Sequence, residues 1–198
     1  MLILTAFMPR TSLVEIAHQI IRPFLHEGAI VIDATLGNGH DTLFLAQNIG
    51  ETGQVYGFDI QPTALQMSRQ RLLQAGMQDR AILQLVSHAD MLEHIPLSEQ
   101  GRVRVIMFNL GYLPGSDKSI KTQADSTLRA LTASCEILAE HGVLTVLAYP
   151  GHDGGELETQ CLLNWMQALN PQHFGISIVG GQGEKSRSPR LFVIRKIA

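Results

Sequence analysis

The stretch IDATLGNGHDT, Ile32 to Thr42, follows the apolar run GAIVI and constrains the fold more than any other segment of this 198-residue chain. An apolar run that ends in an acid and a glycine-rich loop is typical of a buried parallel strand that turns into a helix. Open α/β sheets bind ligands at such loops, beyond the carboxyl ends of their strands. The stretch therefore predicts an α/β protein with a ligand site at this loop.

The remainder of the chain alternates between apolar strands and amphipathic helices, which favours a mostly parallel sheet with helices on both faces. A helix is predicted over 12–26, a ligand-binding core over 29–156, and an antiparallel strand pair at the sheet edge over 173–198. Together these predict one Rossmann-like domain, 1–198, with a seven-stranded sheet. The clearest strands are AIVID, QVYGFDI, AILQLVS, VRVIMFN and GVLTVLAY, and the clearest helices, each with a terminal glycine, are QPTALQMSRQRLLQAG and TQADSTLRALTASCEILAEHG.

Composition narrows the classes of function. Hydrophobic residues make up 45% of the chain and charged residues 17%, which fits a soluble globular enzyme. The net charge of −3 argues against a broadly basic nucleic-acid coat but leaves room for a local basic patch. Cys135 and Cys161 have no partner at metal-ligand spacing, so no metal site is predicted. No apolar run is long enough to span a membrane and no signal pattern is present, so we expect a cytoplasmic protein.

The glycine-rich loop does not match either phosphate-binding motif. A dinucleotide fingerprint needs a third glycine where Thr42 stands, and a P-loop needs a lysine where His40 and Asp41 stand. Gly37 and Gly39 would still allow a ligand to approach the backbone closely. A tight turn with a capping aspartate remains the alternative interpretation.

Two acids favour a phosphate-free nucleoside ligand. Asp33 ends the first predicted strand, and its carboxylate would repel a pyrophosphate but suit an ammonium or sulfonium group. Asp59 ends the second strand, about 20 residues past the loop, where an acid accepts hydrogen bonds from ribose hydroxyls. An adenosyl ligand that carries a positive charge is consistent with both.

Polar residues also follow the later strands. His88 and Asp90 follow the third, and Asn109 ends the fourth in the segment VIMFNLGYLPGSDK. The amide oxygen of Asn109 can accept a hydrogen bond from an amine, and Tyr112 can lie against a planar base. His152, after the fifth strand, is a second candidate for the reaction centre. A structural histidine and a Gly-Pro turn are the alternatives for these positions.

These motifs resemble those of the class I S-adenosylmethionine-dependent methyltransferases. The segment DATLGNGHDT is also similar to the DATLG opening of the 16S rRNA cytosine-N4 methyltransferases, and FNLGYLP resembles the Asn-Pro-Pro-Tyr motif that holds a target nitrogen. With GFDIQ and AYPGHDGGE, they resemble one small family, the putative rRNA methylases, over roughly 32–156. Its members include tRNA methyltransferases that convert 5-aminomethyl-2-thiouridine at the wobble position to the 5-methylaminomethyl form.

The resemblance implies a class I methyltransferase fold, S-adenosylmethionine as cofactor and S-adenosylhomocysteine as product. It implies N-methylation of tRNA in the anticodon region, with Asn109 orienting the nitrogen and His88, Tyr112 or His152 relaying the proton. The implied cofactor-binding residues are Asp33, Thr35, Gly37, Asn38, Gly39, His40, Asp41, Thr42, Asp59, Gln61, Asp90 and Asn109. The implied RNA-binding residues are Tyr112, Lys118, Lys185, Arg187 and Arg190.

Three alternatives remain open from the sequence. The acceptor could be a base nitrogen of rRNA or a small-molecule amine, because either would need much the same pocket. The chain could also be a binding module that has lost its chemistry, although five intact motif residues argue against that. We further expect that a homodimer would enlarge the RNA-binding surface of so short a chain.

Overall fold

Seven strands form one sheet in the computed structural model, which describes residues 11–111, 122–151, 154–180 and 187–197. The strands are β1 Ile30–Asp33, β2 Gln54–Asp59, β3 Ala81–Leu85, β4 Val103–Asn109, β5 Leu138–Ala148, β6 Phe174–Val179 and β7 Arg190–Lys196. Their order across the sheet is β3-β2-β1-β4-β5-β7-β6. Strands β1 to β5 pair in parallel, whereas β7 is antiparallel to both β5 and β6. The predicted fold class, with its antiparallel C-terminal edge pair, is confirmed.

Helices cover both faces of the sheet, because the strands bury side chains on both sides. One face, which includes Val31, Val55 and Val105, packs against the first three helices. The other face, which includes Ile32 and Phe58, packs against the last three. In chain order the helices are α1 Leu13–Ile21, α2 His40–Asn48, α3 Pro62–Gln74, α4 Met91–His94, α5 Ala124–Ile137 and α6 Gly155–Gln167. None of the helices in these ranges is both long and apolar enough to cross a membrane.

The first helix is shorter than the predicted 12–26. Ser12 begins it with a capping box, in which its hydroxyl accepts the N–H of Glu15 at 3.2 Å and the Glu15 carboxylate accepts the N–H of Ser12 at 2.8 Å. The α-helix ends at Ile21 and continues as a 3₁₀ turn over 22–24. Pro23 accounts for this end, since it has no N–H to donate along an α-helix.

The helix predicted over 122–142 is wrong at its C-terminal end. It ends at Ile137, and the next four residues already belong to β5. His141 has a φ of 60°, and the strand bulges there against β4. Gly142 lies inside this bulge, where an added Cβ would be 2.9 Å from the carbonyl oxygen of Ala139. The glycine therefore permits a tight bend at the strand entrance and does not cap the helix.

The strand order places the candidate site. Strand β1 has β2 on one side and β4 on the other, so the crossovers that leave β1 and β4 run to opposite sides of the sheet. Such a switch point opens a crevice at the carboxyl ends of the strands. The loop after β1, the acid that ends β2 and the asparagine that ends β4 all meet at this crevice.

Candidate active site

A cavity of about 660 Å³ opens at the carboxyl ends of the parallel strands. Its size falls within the usual range of small-molecule sites. The residues that line it come from the β1 loop, from the ends of β2, β3 and β4, from the start of α5, and from the loops next to β5 and β7. Among them are Thr35, Gly37, Asn38, His40, Asp41, Asp59, Ile60, Gln61, His88, Asn109, Ser126, Tyr149 and Arg187.

The loop after β1 is fixed by its glycines and by the next strand. Gly37 and Gly39 have φ angles of 49° and 73°, in the region that favours glycine. A Cβ on Gly39 would lie 2.5 Å from the Ser68 hydroxyl on α3, so this glycine lets α2 and α3 pack closely. The N–H of Gly37 donates to Oδ2 of Asp59 at 3.0 Å. The loop and the end of β2 therefore form one rigid unit.

Asp59 combines a structural role with a free face toward the cavity. Besides Gly37, it accepts the N–H of Gln61 through Oδ1 at 2.9 Å. An ionised carboxylate has about four acceptor sites on its two oxygens, so two remain for other donors. Asp59 also lines the cavity. It is thus placed to accept hydrogen bonds from vicinal hydroxyls of a ribose.

Asp33 does not face the ligand as the sequence suggested. Its side chain is 1% exposed and is absent from the cavity lining. The alternation of β1 turns it to the same face as Val31, beneath α2. Oδ1 accepts the N–H of Thr35 at 3.2 Å, and Oδ2 accepts the hydroxyl of Thr42 at 2.5 Å. Asp33 and the buried Thr42 therefore support the loop from below.

Asp33 gives the fold a specific pH dependence. Burial, reinforced by the charge of Asp41, raises the pKa of Asp33 to about 7. The ordinary pKa is about 3.9, so between about pH 4 and pH 7 the folded state keeps a proton that the unfolded state loses, and stability falls as pH rises. Asp33→Asn has no such proton. We expect the stability of the wild type relative to this variant, from urea unfolding, to fall across that window and level off above it. A difference independent of pH would contradict this.

Other residues of the loop connect it to β4 and to α1. The Thr35 hydroxyl accepts the N–H of Asn109 at 2.6 Å, which ties β1 to the end of β4. Oδ1 of Asn38 is buried, and no residue in the described ranges donates to it. His18 of α1 lies 2.7 Å from Oδ1 of Asp41 and stacks on Phe44 at 3.8 Å between ring centroids. The His18 contacts were not predicted, because contacts between two separate helices leave no local pattern in the sequence.

The structure places the two polar residues after β3 differently. Asp90 points away from the cavity and pairs with Arg129 at 2.7 Å, with 37% of its side chain exposed. A place for the Asp90 side chain in the cofactor site is therefore not supported, because the 3₁₀ turn at 88–90 carries its carboxylate to α5. His88 does line the cavity. Its ring is 9% exposed and meets the edge of Phe108.

A buried carboxylate anchors the two ends of segment 112–121. The N–H of Gly111 donates to the Thr122 hydroxyl at 2.9 Å, and that hydroxyl donates to Oε2 of Glu158 at 2.9 Å. The Thr127 hydroxyl donates to Oε1 of Glu158 at 2.6 Å. The predicted site residues Tyr112 and Lys118 lie outside the described residues, but the chain enters and leaves their segment at this anchor. This anchor could not be predicted from a local pattern, because Glu158 lies in α6, more than 30 residues further along the chain.

Removing the anchor should destabilise the fold. In Glu158→Leu the buried hydroxyl of Thr127 and the partly buried hydroxyl of Thr122 lose their acceptor, and we expect the free energy of unfolding to drop by about 2 kcal/mol. Glu156→Leu, at an exposed position in the same first turn of α6, is the matched control and should change it by less than about 0.5 kcal/mol. Urea unfolding of both variants measures the difference. Equal losses would show that the anchor contributes nothing specific.

The structure places the two predicted RNA-binding arginines differently. Arg187 is exposed and lines the cavity, and its contact with an RNA phosphate stays a prediction. Arg190 begins β7 opposite Ala148 and is only 6% exposed, so the pairing of β7 with β5 removes it from a surface role. Lys185 and His152 lie outside the described residues. Ile60, 55% exposed at the cavity, and Tyr149 were missed as lining residues, because each is the last residue of a predicted strand, whereas β2 and β5 end one residue earlier.

Comparisons with known proteins agree with this fold. The chain is 40% identical over 159 residues to the chloroplastic tRNA (mnm5s2U34)-methyltransferase of Arabidopsis thaliana, which covers 76% of this chain. It spans only 57% of that relative's length. The crystal structure of a putative rRNA methylase from Clostridium thermocellum matches with a TM-score of 0.87 at 36% identity, covering 93% of this chain and 97% of that one.

A second crystal structure adds a ligand to the comparison. It is a putative methyltransferase from Streptococcus mutans in complex with S-adenosylhomocysteine, and it matches with a TM-score of 0.80 at 33% identity, covering 92% of this chain and 97% of that one. The class I methyltransferase fold implied by the sequence motifs is therefore confirmed. The model of the Putative rRNA methylase family matches residues 55–195, most of the chain. The chain thus belongs to the Putative rRNA methylase family.

Proposed function

We propose that this member of a methyltransferase family uses S-adenosylmethionine to methylate the aminomethyl group of 5-aminomethyl-2-thiouridine at the tRNA wobble position. The observation that carries the proposal is one cavity in which a ribose-type acid, Asp59, and an amine-type acceptor, Asn109, lie on either side of the β1 loop. The name of the Arabidopsis relative supports the substrate. Because the chain spans 57% of that relative, the substrate is a proposal for this protein.

The residues at the cavity fit S-adenosylmethionine and its product. Asp59 would hold the ribose, and the buried oxygen of Asn38 would accept a hydrogen bond from the ammonium group. Asp41 and Asp59 line the cavity, and residues 32–42 include no lysine or arginine, so the loop suits a cation better than a phosphate. Ile60, beside the ribose acid, offers an apolar surface to the adenine ring.

The chemistry asks the protein mainly for alignment. When bound, S-adenosylmethionine supplies a sulfonium methyl group that a neutral amine can attack directly, with S-adenosylhomocysteine as the leaving group. Asn109 is the residue that we propose to orient that amine, because its amide oxygen can accept an N–H. The backbone there is rigid, since the N–H groups of Asn109 and Leu110 bond to Thr35 and Leu147 at 2.6 and 2.8 Å. Such fixed geometry lowers the entropic part of the barrier.

The amine that receives the methyl group must also lose its positive charge before it can react. An alkylamine has a pKa of about 10, so the site must favour its neutral form by desolvation and supply a base that takes the proton. His88, at the cavity, and Tyr112 and His152, outside the described residues, are the candidates for taking the proton. Arg187 at the rim would contact a tRNA phosphate. The homodimer and the cytoplasmic location stay predictions.

Methyl transfer to matched RNAs tests the proposal. The substrates are tRNA with 5-aminomethyl-2-thiouridine, the same tRNA without the modification, 16S rRNA and the free modified nucleoside. We expect transfer only to the aminomethyl tRNA, detected as methylaminomethyl-thiouridine by mass spectrometry. Transfer to rRNA alone would establish the base-methylation alternative, and transfer to the free nucleoside at an equal rate would favour a small-molecule enzyme. If calorimetry detects no binding of S-adenosylhomocysteine, the cofactor assignment fails.

A further inference from the structure

One oxygen of Asp41 is held by a neighbouring helix. Nε2 of His18 on α1 lies 2.7 Å from Oδ1 of Asp41. An ionised carboxylate only accepts hydrogen bonds, so Nε2 carries a proton and donates it. The His18 ring is stacked on Phe44 of α2, with 3.8 Å between ring centroids, which keeps the donor in place. The Asp41 carboxylate therefore has a fixed orientation at the start of α2.

The other oxygen of Asp41 is open to a ligand. Oδ2 has no hydrogen-bond donor among the described residues and is not enclosed by them. Asp41 lines the cavity, and 12% of its side chain is exposed. No lysine or arginine in the described part of the chain forms an ion pair with it. The ligand group that fits Oδ2 is therefore a cation that donates a hydrogen bond.

Asp41 lies on the same side of the sheet as Asn109. Asn109 pairs with Leu147 in register, and Leu147 belongs to the face that packs against the first three helices. Tyr149, two residues further, packs on that face and lines the cavity. Burial and the nearby charge of Asp41 raise the pKa of Tyr149, so these two side chains are neighbours. Asp41 thus lines the part of the cavity in which Asn109 is proposed to orient the acceptor.

This part of the cavity is distinct from the ribose side. Asp59 ends β2, whereas Asn109 ends β4 and Tyr149 follows β5, on the other side of β1. His88 packs against Phe108, whose side chain belongs to the opposite face of β4. Among the described residues that line the cavity, Asp41 is therefore the carboxylate on the acceptor side.

We infer that Asp41 binds the aminomethyl group of the target uridine as an ammonium and takes its proton, and that His18 positions the carboxylate for this role. The inference rests on the proposed function and names the group that selects a charged amine. It assigns Asp41 to the acceptor, whereas the sequence resemblance implied a contact with the cofactor.

Proton transfer to Asp41 produces the nucleophile. The sulfonium in the same cavity repels the ammonium, and loss of water makes a carboxylate more basic, so both favour transfer of the proton to Oδ2. The neutral nitrogen then bonds to the methyl carbon as the carbon–sulfur bond breaks, and the electron pair of that bond stays on sulfur. The product is a secondary ammonium, and Asp41 returns its proton to water when the product leaves.

The binding of two tRNAs tests recognition without methyl transfer. In the presence of S-adenosylhomocysteine, affinity is measured for tRNA with 5-aminomethyl-2-thiouridine and for the same tRNA with 2-thiouridine. We expect the wild type to prefer the aminomethyl tRNA about tenfold, and Asp41→Asn, which keeps the shape but not the charge, to bind both equally. Asp79→Asn, at an exposed position before β3, should keep the preference. Retention of the preference in Asp41→Asn would overturn the inference.

Single-turnover transfer to the aminomethyl tRNA tests the proton step. We expect Asp41→Asn to lower the rate about 100-fold or more and to bind S-adenosylhomocysteine within about threefold of the wild type. A rate within about threefold of the wild type would overturn the inference. So would a large loss of affinity for S-adenosylhomocysteine, which would assign Asp41 to the cofactor. If the wild type methylated no aminomethyl tRNA, the proposed function would fail, and the inference with it.

Two variants of His18 test its positioning role. His18→Phe keeps a ring that can stack on Phe44 but has no N–H for Asp41, whereas His18→Gln keeps an N–H donor. We expect His18→Phe to lower the transfer rate about tenfold and His18→Gln to retain part of the activity, with the affinity for S-adenosylhomocysteine unchanged in both. A wild-type rate in His18→Phe, or equal losses in the two variants, would overturn the role of His18.

Discussion

Asp59→Ala is expected to weaken the binding of S-adenosylhomocysteine about 100-fold or more. The variant loses the charged acceptor proposed for two ribose hydroxyls. It also loses the bonds from Gly37 and Gln61, at 3.0 and 2.9 Å, that hold the β1 loop to β2. The effect should therefore exceed that of a single ligand contact, because the loop on the other side of the cofactor loosens too. Isothermal titration calorimetry measures it directly.

The control variant loses one carboxylate as well, but at a position away from the cavity. Asp79→Ala, at an exposed position before β3, should leave the affinity within about twofold. Asp59→Asn refines the result, since an amide keeps one acceptor oxygen and should retain part of the binding. If Asp59→Ala bound S-adenosylhomocysteine as well as Asp79→Ala does, Asp59 would have no role in binding and the proposed orientation of the cofactor would be wrong.

The order of strands and helices could be predicted because the spacing of apolar residues that distinguishes a strand from a helix is local in the sequence. Near-continuous apolar runs such as AIVID and VRVIMFN predicted strands buried on both faces, and both faces of the sheet are covered. The carboxyl end of β1 could be predicted as the site because topology alone places ligands there. The end of α5 could not, because the bulge at His141 depends on how β5 pairs with β4.

The direction of individual side chains was harder to predict. Asp33 and Asp59 both end strands with an acid, yet one is buried under α2 and the other lines the cavity. Sequence cannot separate them, since a shift of one residue at the end of a strand turns a side chain to the other face. Asp90 lies outside the cavity because it pairs with Arg129, which is 39 positions away in the sequence. The role of Glu158 could not be predicted either, because its hydrogen bonds to Thr122 and Thr127 form only in the folded chain.

The charges around the β1 loop are consistent with a cationic ligand. Asp41 and Asp59 face the cavity, and their repulsion raises the pKa of the buried Asp33 beyond the effect of burial. A proton on Asp33 reduces the negative charge beneath the loop. A positive ligand above the loop would instead favour the ionised form of Asp33. Binding of a sulfonium or ammonium group should therefore lower the pKa of Asp33, and the protein should release protons as it binds.

Asn109→Ala is expected to lower kcat for methyl transfer about 100- to 1000-fold, because the acceptor nitrogen loses the group that orients it. The backbone N–H of this residue, which bonds to Thr35 at 2.6 Å, is unchanged by the substitution. Binding of S-adenosylhomocysteine should therefore stay within about threefold of the wild type, since the cofactor side of the cavity stays intact. Single-turnover methylation of aminomethyl tRNA and calorimetry on the same preparation measure the two effects.

The separation of the two effects is what identifies an orienting residue. Asn164→Ala, on the exposed face of α6, controls for the loss of an amide and should change neither measurement. A large loss of cofactor affinity in Asn109→Ala would mean that Asn109 belongs to the cofactor site, as its place in both predicted sets allows. A kcat within about threefold of the wild type would remove it from the reaction, because a residue that aligns the attacking nitrogen cannot be lost without slowing the transfer.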